Sequence, residues 1–272
     1  MSRPVQRVLI TGAAGRIGKE MRARLAGDYT LRLTDIVAMA PAGPNEEVVP
    51  CDLADADGVA RLCEGVDAIL HLGGNPREGA WPDILTPNII GAINLWEGAR
   101  KAGVDRVLFA SSNHVTGFYR REDGLDHDSL PRPDGRYGLS KAFGEDLALF
   151  YAHKYGVRGF MIRIGSFLPE PNNERCLATW LSHDDGERLV RVGLEAEYLF
   201  EIVYGISRNT RAWYDNANAY RLGYDPQDDS ERFAAALVGQ VLDDPIAEEF
   251  QGSVFASLEF VGPTTRIPRA PR

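Results

Sequence analysis

The run Gly12-Ala13-Ala14-Gly15-Arg16-Ile17-Gly18 stands between a short apolar segment, Val8-Leu9-Ile10, and a helical pattern that continues through Met21 and Leu25. That order leaves few folds open. Glycines three apart let the backbone turn tightly at the end of a strand and approach a ligand closely. The helix that follows directs its free N–H groups at the same point, where a pyrophosphate can sit. A glycine pattern alone is weak evidence, but between a strand and a helix it predicts a dinucleotide-binding βα unit.

The first half of the chain keeps the same alternation. Strand-like runs at Leu31 to Leu33, Val48-Val49, Ala68 to Leu72, Val107 to Ala110 and Phe160 to Ile164 alternate with helical patterns. Those patterns run up to Cys63, over Ile84 to Ala102 and over Tyr137 to Tyr155. They predict right-handed βαβ units and a parallel sheet. Residues 113–136 are polar, charged and rich in Gly and Pro, and read as loop. After Gly165 the alternation breaks. Pro169-Glu170-Pro171-Asn172-Asn173 is irregular, and Ser182-His183-Asp184-Asp185 has the form of a helix N-cap with an acidic first turn. Glu201 to Ile206 reads as a strand and Phe233 to Leu242 as a helix.

The expected architecture is α/β, a Rossmann-type doubly wound parallel sheet with a small C-terminal substrate lobe at its carboxyl edge. No repeat or low-complexity linker divides it. Residues 1–272 therefore read as a single domain, about 1–165 forming the dinucleotide-binding core and about 166–272 mostly lobe and tail. The tail around Phe255 and Phe260 is apolar enough to meet a neighbouring subunit or to cap its own sheet, and a homo-oligomer is expected.

Composition narrows the partners. A chain with 44% hydrophobic and 25% charged residues is ordinary for a soluble globular protein. A formal net charge of -9 argues against nucleic acid or an anionic membrane surface. No apolar run approaches the ~18 residues of a membrane span. Met1 to Arg7 leads directly into the first strand without a signal-peptide core. Cys51, Cys63 and Cys176 are odd in number and lack C-x-x-C spacing, so they read as reduced thiols of a cytoplasmic protein. No metal site is expected.

Asp35 ends the second strand, roughly 20 residues past the glycine run, where a carboxylate accepts hydrogen bonds from an adenosine ribose and repels a 2′-phosphate. NAD is therefore expected in preference to NADP, with Arg16 the one nearby cation that favours a phosphate. Asp52 is placed to meet an adenine amino group with Leu53 against the ring; capping the next helix is the alternative. Gly73-Gly74 again permits close backbone approach. Ile17, Leu72 and Ile164 complete the expected cofactor groove. His71 reads as a satisfied core histidine and receives no functional role.

The chemistry is carried by Tyr137-Gly138-Leu139-Ser140-Lys141. The chain has 10 tyrosines, and its lysines are Lys19, Lys101, Lys141 and Lys154. A Tyr-x-x-x-Lys then arises by chance only about 0.15 times in such a chain. Positions four apart share a helix face. An ammonium beside a phenol lowers the tyrosine pKa from about 10, which makes it a general base near neutral pH. The alternative is an incidental pair on an amphipathic helix.

With these pieces in order, the chain resembles the extended short-chain dehydrogenases/reductases over about residues 5–165. Gly12-x-x-Gly15-x-x-Gly18, Asp52-Leu53, His71-Leu72-Gly73-Gly74, Asn88-x-x-Gly91, Ala110-Ser111-Ser112 and Tyr137-x-x-x-Lys141 fall in that family's order. The resemblance implies a catalytic set of Ser112, Tyr137 and Lys141, with Asn88 supporting the lysine through a water.

A narrower likeness spans nearly the whole chain. Ala110-Ser111-Ser112-Asn113-His114, Arg163-Ile164-Gly165-Ser166, Pro169 to Asn173 with Arg175, and Thr179-Trp180-x-Ser182-His183-Asp184-Asp185 resemble bacterial uronate dehydrogenases. That family oxidises C1 of D-galacturonate or D-glucuronate with NAD to an aldarolactone. The likeness implies a sugar site of Ser112, Asn113, His114, Tyr137, Ser166 and Arg175, with Asn75 at its edge. A carboxylate suits the forked guanidinium of Arg175, and ring hydroxyls suit Ser, Asn and His.

Other segments point elsewhere. Gly74-Asn75-Pro76-Arg77-Glu78, Ile202 to Ser207 and Leu222 to Asp228 are similar to short-chain-type glucose-6-phosphate dehydrogenases of archaea. The anionic group on the sugar is thus a carboxylate or a phosphate. A nucleotide-sugar epimerase or dehydratase is a further reading, although that group carries a larger C-terminal lobe and usually Asn where Ser166 stands. A non-enzymatic NAD sensor would have no use for Ser112, Tyr137 and Lys141.

Overall fold

Strands β1 (Arg7–Thr11), β2 (Thr30–Thr34), β3 (Glu46–Val48), β4 (Ala68–His71), β5 (Arg106–Ser112) and β6 (Arg158–Ile164) lie in the expected places in a computed structural model that describes residues 4–270. Two short strands, β7 (Ser166–Phe167) and β8 (Trp180–Leu181), pair with each other, and β9 (Phe200–Gly205) joins the main sheet. The sheet runs in the order β3-β2-β1-β4-β5-β6-β9, and every neighbouring pair is parallel. The chain reverses direction across the sheet between β1 and β4, which opens a crevice at their carboxyl ends.

Period-two alternation in β1 sends side chains to two separate cores. Val8 and Ile10 join Met21 and Leu25 of α1 (Arg16–Leu25) on one face. Leu9 joins Val59 of α2 (Ala56–Cys63) on the other, together with residues from two longer helices. The central strands β4 and β5 are buried along their whole length, as a sheet covered on both faces requires.

The pattern from Ile84 to Ala102 is not one helix. A short α3 (Trp81–Ile84) passes into a π-helical turn, Leu85–Ile90, before α4 (Gly91–Ala102). Pro87 has no N–H to donate within that turn, and such turns recur at functional sites. Helix α5 (Arg136–Tyr155) is continuous. The 113–136 stretch is loop apart from a 3-10 turn, Asn113–Thr116. Beyond β6, α6 (Cys176–Thr179) is one turn, and α7 (His183–Glu195) is capped as expected, the Ser182 hydroxyl accepting from the Asp185 N–H. The helix expected over Phe233 to Leu242 is corrected: it stops at Leu237, because Gly239 takes a φ of +89° and its N–H bonds Glu174.

One buried ion pair fixes α5 on the sheet. Arg163 of β6 donates from Nε and Nη2 to the two oxygens of Glu145 at 3.0 and 2.9 Å. The Ser111 hydroxyl of β5 donates to the same carboxylate at 2.6 Å, and Arg163 Nη1 reaches the Tyr204 hydroxyl of β9 at 3.2 Å. Removing one partner strands the other charge in the core. Glu145→Ala should therefore lose about 3–5 kcal/mol in denaturant unfolding, while Glu145→Leu with Arg163→Met should recover most of it. An unchanged unfolding midpoint for Glu145→Ala would show that the pair holds nothing.

Candidate active site

The carboxyl ends of β1, β4, β5 and β6 carry Gly12, Gly73, the Ser112–His114 turn and Ile164 to one edge of the sheet. Gly12 adopts a φ of +67°, and a Cβ there would press against Leu72 and Gly73 at 2.8 Å. A Cβ on Gly18 would collide with the Gly12 carbonyl. Gly15 caps α1, whose first turn holds no acidic residue. Bare backbone over a helix N-terminus with no side-chain cap fits a pyrophosphate. Ile17 and Leu72 are half-buried beside this loop, and Arg16 is exposed on it.

Asp35 faces the glycine loop: its Oδ2 accepts the Ala14 N–H at 2.9 Å and its Oδ1 the Val37 N–H at 3.0 Å. Asp52 is exposed and accepts from Ala54, whereas the cap of α2 is Asp55. Leu53 is buried against Gly73 and Gly91, where a Cβ would meet it at 2.6 and 2.9 Å. His71 is a neutral strut. Thr11 Oγ1 accepts the Gly73 N–H at 3.1 Å and shares a hydrogen bond with His71 Nδ1 at 2.7 Å, while burial pushes the imidazole down to about 3. Strut and glycine loop together brace the floor of the dinucleotide groove.

Asn88, in the π-helical turn, is bonded on all sides. Its Oδ1 accepts the Asn75 N–H at 2.7 Å, and its Nδ2 donates to the Asn75 carbonyl at 3.1 Å and to Ser140 Oγ at 3.0 Å. It thereby ties the loop after β4 to α5 beside Lys141. Glu78, in the same loop, caps α5 from outside, its carboxylate accepting the N–H groups of Arg136 at 3.0 Å and Tyr137 at 2.8 Å. Sequence reasoning assigned Glu78 no role in this site, because the cap lies 58 residues away in the chain.

Tyr137, Lys141 and Ser112 come together in the buried wall of the site. The Ser112 hydroxyl lies near enough to the phenol to favour its ionised form. Lys141 Nζ lies 5.7 Å from the Tyr137 ring centroid and 4.9 Å from that of Phe109. The expected fall in the tyrosine pKa is corrected. Burial pushes Tyr137 up to about 12, with Ser112 pulling down and the Asp134 charge pushing up. Burial also brings Lys141 down to about 8. Desolvation disfavours both charged forms together.

A second group of polar residues is incompletely bonded. Ser166 Oγ pairs with Thr179 Oγ1 at 2.9 Å. Arg175 donates from Nε to the Gln251 carbonyl at 2.8 Å, and its Nη2 is buried without a partner. It has no carboxylate partner among the described residues. Burial lowers its pKa, but a guanidinium stays charged. Asn113 Nδ2, the Tyr214 hydroxyl and Gln251 Oε1 are likewise buried and unpartnered. Such groups are costly unless a ligand or water completes them. Tyr214 and Gln251 were not expected from the sequence, and only their unsatisfied atoms reveal them. Asn75, by contrast, spends its side chain on the Asp83 carbonyl and the Arg77 N–H.

Within the chain, the tail packs beside His114, Phe118 and Tyr137. Phe255 stacks on His114 with ring centroids 4.2 Å apart and stands edge-on to Tyr137 at 6.0 Å. Phe260 packs with Phe118 and Phe250. Among the described residues no cluster of three or more His, Cys, Asp or Glu is arranged to hold a metal, and no helix is long and apolar enough to cross a membrane.

Residues 8–183 match the model of the NAD dependent epimerase/dehydratase family. The chain is 51% identical over 259 residues to the uronate dehydrogenase of Pseudomonas putida, covering 93% of this chain and 96% of that protein. The NAD-dependent glucose-6-phosphate dehydrogenase of Haloferax volcanii is 38% identical over 88% of this chain and 99% of its own length. Among solved structures, the uronate dehydrogenase of Agrobacterium tumefaciens, as a tyrosine-to-alanine variant complexed with NAD, superimposes with a TM-score of 0.89. It is 45% identical, over 93% of this chain and 97% of that one. The geometry around Asp35 makes a direct prediction. Asp35→Ala should weaken NAD binding and narrow its margin over NADP, read by fluorescence titration with each dinucleotide. An unaltered protein that binds both equally would remove Asp35 from this role.

Proposed function

The chain belongs to the NAD dependent epimerase/dehydratase family, and from that premise we propose that it is an NAD-dependent dehydrogenase of hexuronic acids, oxidising C1 of D-galacturonate or D-glucuronate to the aldarolactone. The observation that carries this reading is Arg175. It is a buried guanidinium with an unpartnered Nη2 and no carboxylate of its own, held by a main-chain carbonyl beside other unsatisfied polar groups. A planar fork of donors matches a carboxylate in two parallel hydrogen bonds. The identity to a uronate dehydrogenase exceeds that to a glucose-6-phosphate dehydrogenase, 51% against 38%, and supports the carboxylate over the phosphate.

In this reading the oxidation splits between proton and hydride. NAD, when bound in the groove of Gly12, Gly15, Gly18, Asp35 and Gly73, supplies the hydride acceptor and a positive charge on its ring. Tyr137 takes the proton of the C1 hydroxyl as the C–H electron pair leaves. Ser112, beside the phenol, orients that hydroxyl. Lys141, protonated below about 8, supplies the cation that favours the phenolate. Asn88 holds the turn that positions the α5 pair, and Asn113, His114 and Ser166 meet the ring hydroxyls. The free thiols of Cys51, Cys63 and Cys176 suit a cytoplasmic protein. Size-exclusion chromatography would decide whether it works as a homo-oligomer.

NADH formation at 340 nm should therefore appear with galacturonate or glucuronate and be far weaker with glucose or glucose 6-phosphate. Arg175→Ala should raise the uronate KM by the equivalent of about 2–3 kcal/mol, leaving NAD binding nearly unchanged. Turnover of glucose 6-phosphate above the uronates would transfer the site to the phosphate reading.

The raised phenol predicts a pH dependence. Tyr137→Phe should lower kcat by orders of magnitude while NAD still binds. Lys141→Met removes a charge that favours the phenolate, so the ascending limb of kcat/KM against pH should move to higher pH. A limb that stayed in place would separate Lys141 from the proton transfer.

A further inference from the structure

His114 is paired with Asp134, a carboxylate to which the proposed reaction assigns no role. Nδ1 of His114 lies 2.7 Å from Oδ2 of Asp134. The aspartate side chain has no exposure, whereas the histidine keeps 15%. Glycines from three separate segments wall in the carboxylate. A Cβ on Gly117 or Gly252 would collide with it, and one on Gly138 would stand 3.0 Å from its Oδ1. The carboxylate has one place to be.

The ring is equally constrained. Phe255 stacks on it at 4.2 Å and 22°, Tyr137 stands edge-on at 5.8 Å, and the His114 N–H bonds Ser112 Oγ at 3.2 Å. Only Nε2 lacks a partner among the described residues. The same Asp134 charge reaches Tyr137 and Arg175. It therefore lies near both the group proposed to move the proton and the group proposed to hold the anion.

A carboxylate at neutral pH accepts hydrogen bonds and does not donate them, so the nitrogen facing it must carry hydrogen. In a neutral imidazole the other nitrogen is then bare. We propose that Asp134 is a positioning residue for sugar recognition. By holding His114 in the Nδ1–H tautomer it turns Nε2 into an acceptor, which takes the hydrogen of a sugar hydroxyl. Recognition is thereby divided, with Arg175 taking the anionic end and His114 a hydroxyl donor. This rests on the reading that the site binds a hexuronic acid.

Two measurements test it. Long-range 1H–15N spectra of the unaltered, histidine-labelled protein at neutral pH should show the bare nitrogen of His114 at Nε2. A bare Nδ1, or hydrogen on both nitrogens, would overturn the proposal, and this result needs no variant to fold. In steady-state kinetics, Asp134→Asn lets the ring adopt the other tautomer. It should raise the uronate KM on the order of tenfold, with a smaller change in kcat and an unchanged KM for NAD. Added to His114→Ala, the same substitution should have no further effect, because its route is gone. Full additivity of the two, or an equal rise in the KM for NAD, would mark Asp134 as merely structural. An unaltered enzyme that oxidised no uronate would overturn the parent reading before any variant was made, which keeps the two failures apart.

Discussion

Helix α5 carries the tyrosine and the lysine, and two carboxylates, one of its own and one from the loop after β4, set where it lies. Glu145 anchors its middle through the bidentate pair with Arg163 and the Ser111 hydroxyl. Glu78 closes its first turn by accepting two backbone N–H groups, one of them from Tyr137 itself. A carboxylate at a helix N-terminus also meets the positive end of the helix dipole. With the first turn and the middle of the helix held, the phenol has little freedom to drift from Ser112. Other features of the site presuppose that placement: Asn88 reaches α5 through Ser140, and the Lys141 ammonium sits over Phe109.

The rim of the crevice is bonded in two ways. By the glycine loop, Thr11 bonds both His71 and Gly73, and Asp35 accepts the Ala14 N–H, although the Thr34 hydroxyl is buried without a partner. Around Arg175, buried polar atoms of Asn113, Asp134, Arg175, Tyr214 and Gln251 lack partners. Burying such atoms costs free energy unless a ligand or water completes them.

Segment 250–255 is what assembles the surroundings of Arg175. It pairs with the loop after the Asn113–Thr116 turn, Gln251 N–H donating to the Tyr119 carbonyl and Gly252 N–H to that of Gly117. From there Gln251 holds Arg175, Gly252 encloses Asp134, and Phe255 covers His114. Many of the chain's arginines are bound to carboxylates, as in Arg22 with Glu46 and Arg191 with Glu187. Arg175 is bound to a carbonyl instead, so its positive charge stays available within a protein of net charge -9.

By itself, the sequence determined whatever rests on local order. The glycine run after β1, the βα alternation through β6, the Ser182 cap and the Tyr137–Lys141 spacing all follow from neighbouring residues or from a helix repeat. Tertiary structure decided whatever depends on burial or on meetings between distant segments. A helix pattern does not reveal the π-helical turn around Asn88 or the early stop at Leu237. Spacing places an ammonium one turn from a phenol, but only packing shows that desolvation raises one pKa and lowers the other. The contacts of Glu78, Asp134, Tyr214 and Gln251 left no mark in the sequence, because hydrogen bonding and desolvation act over a few ångströms of space, whatever the separation along the chain.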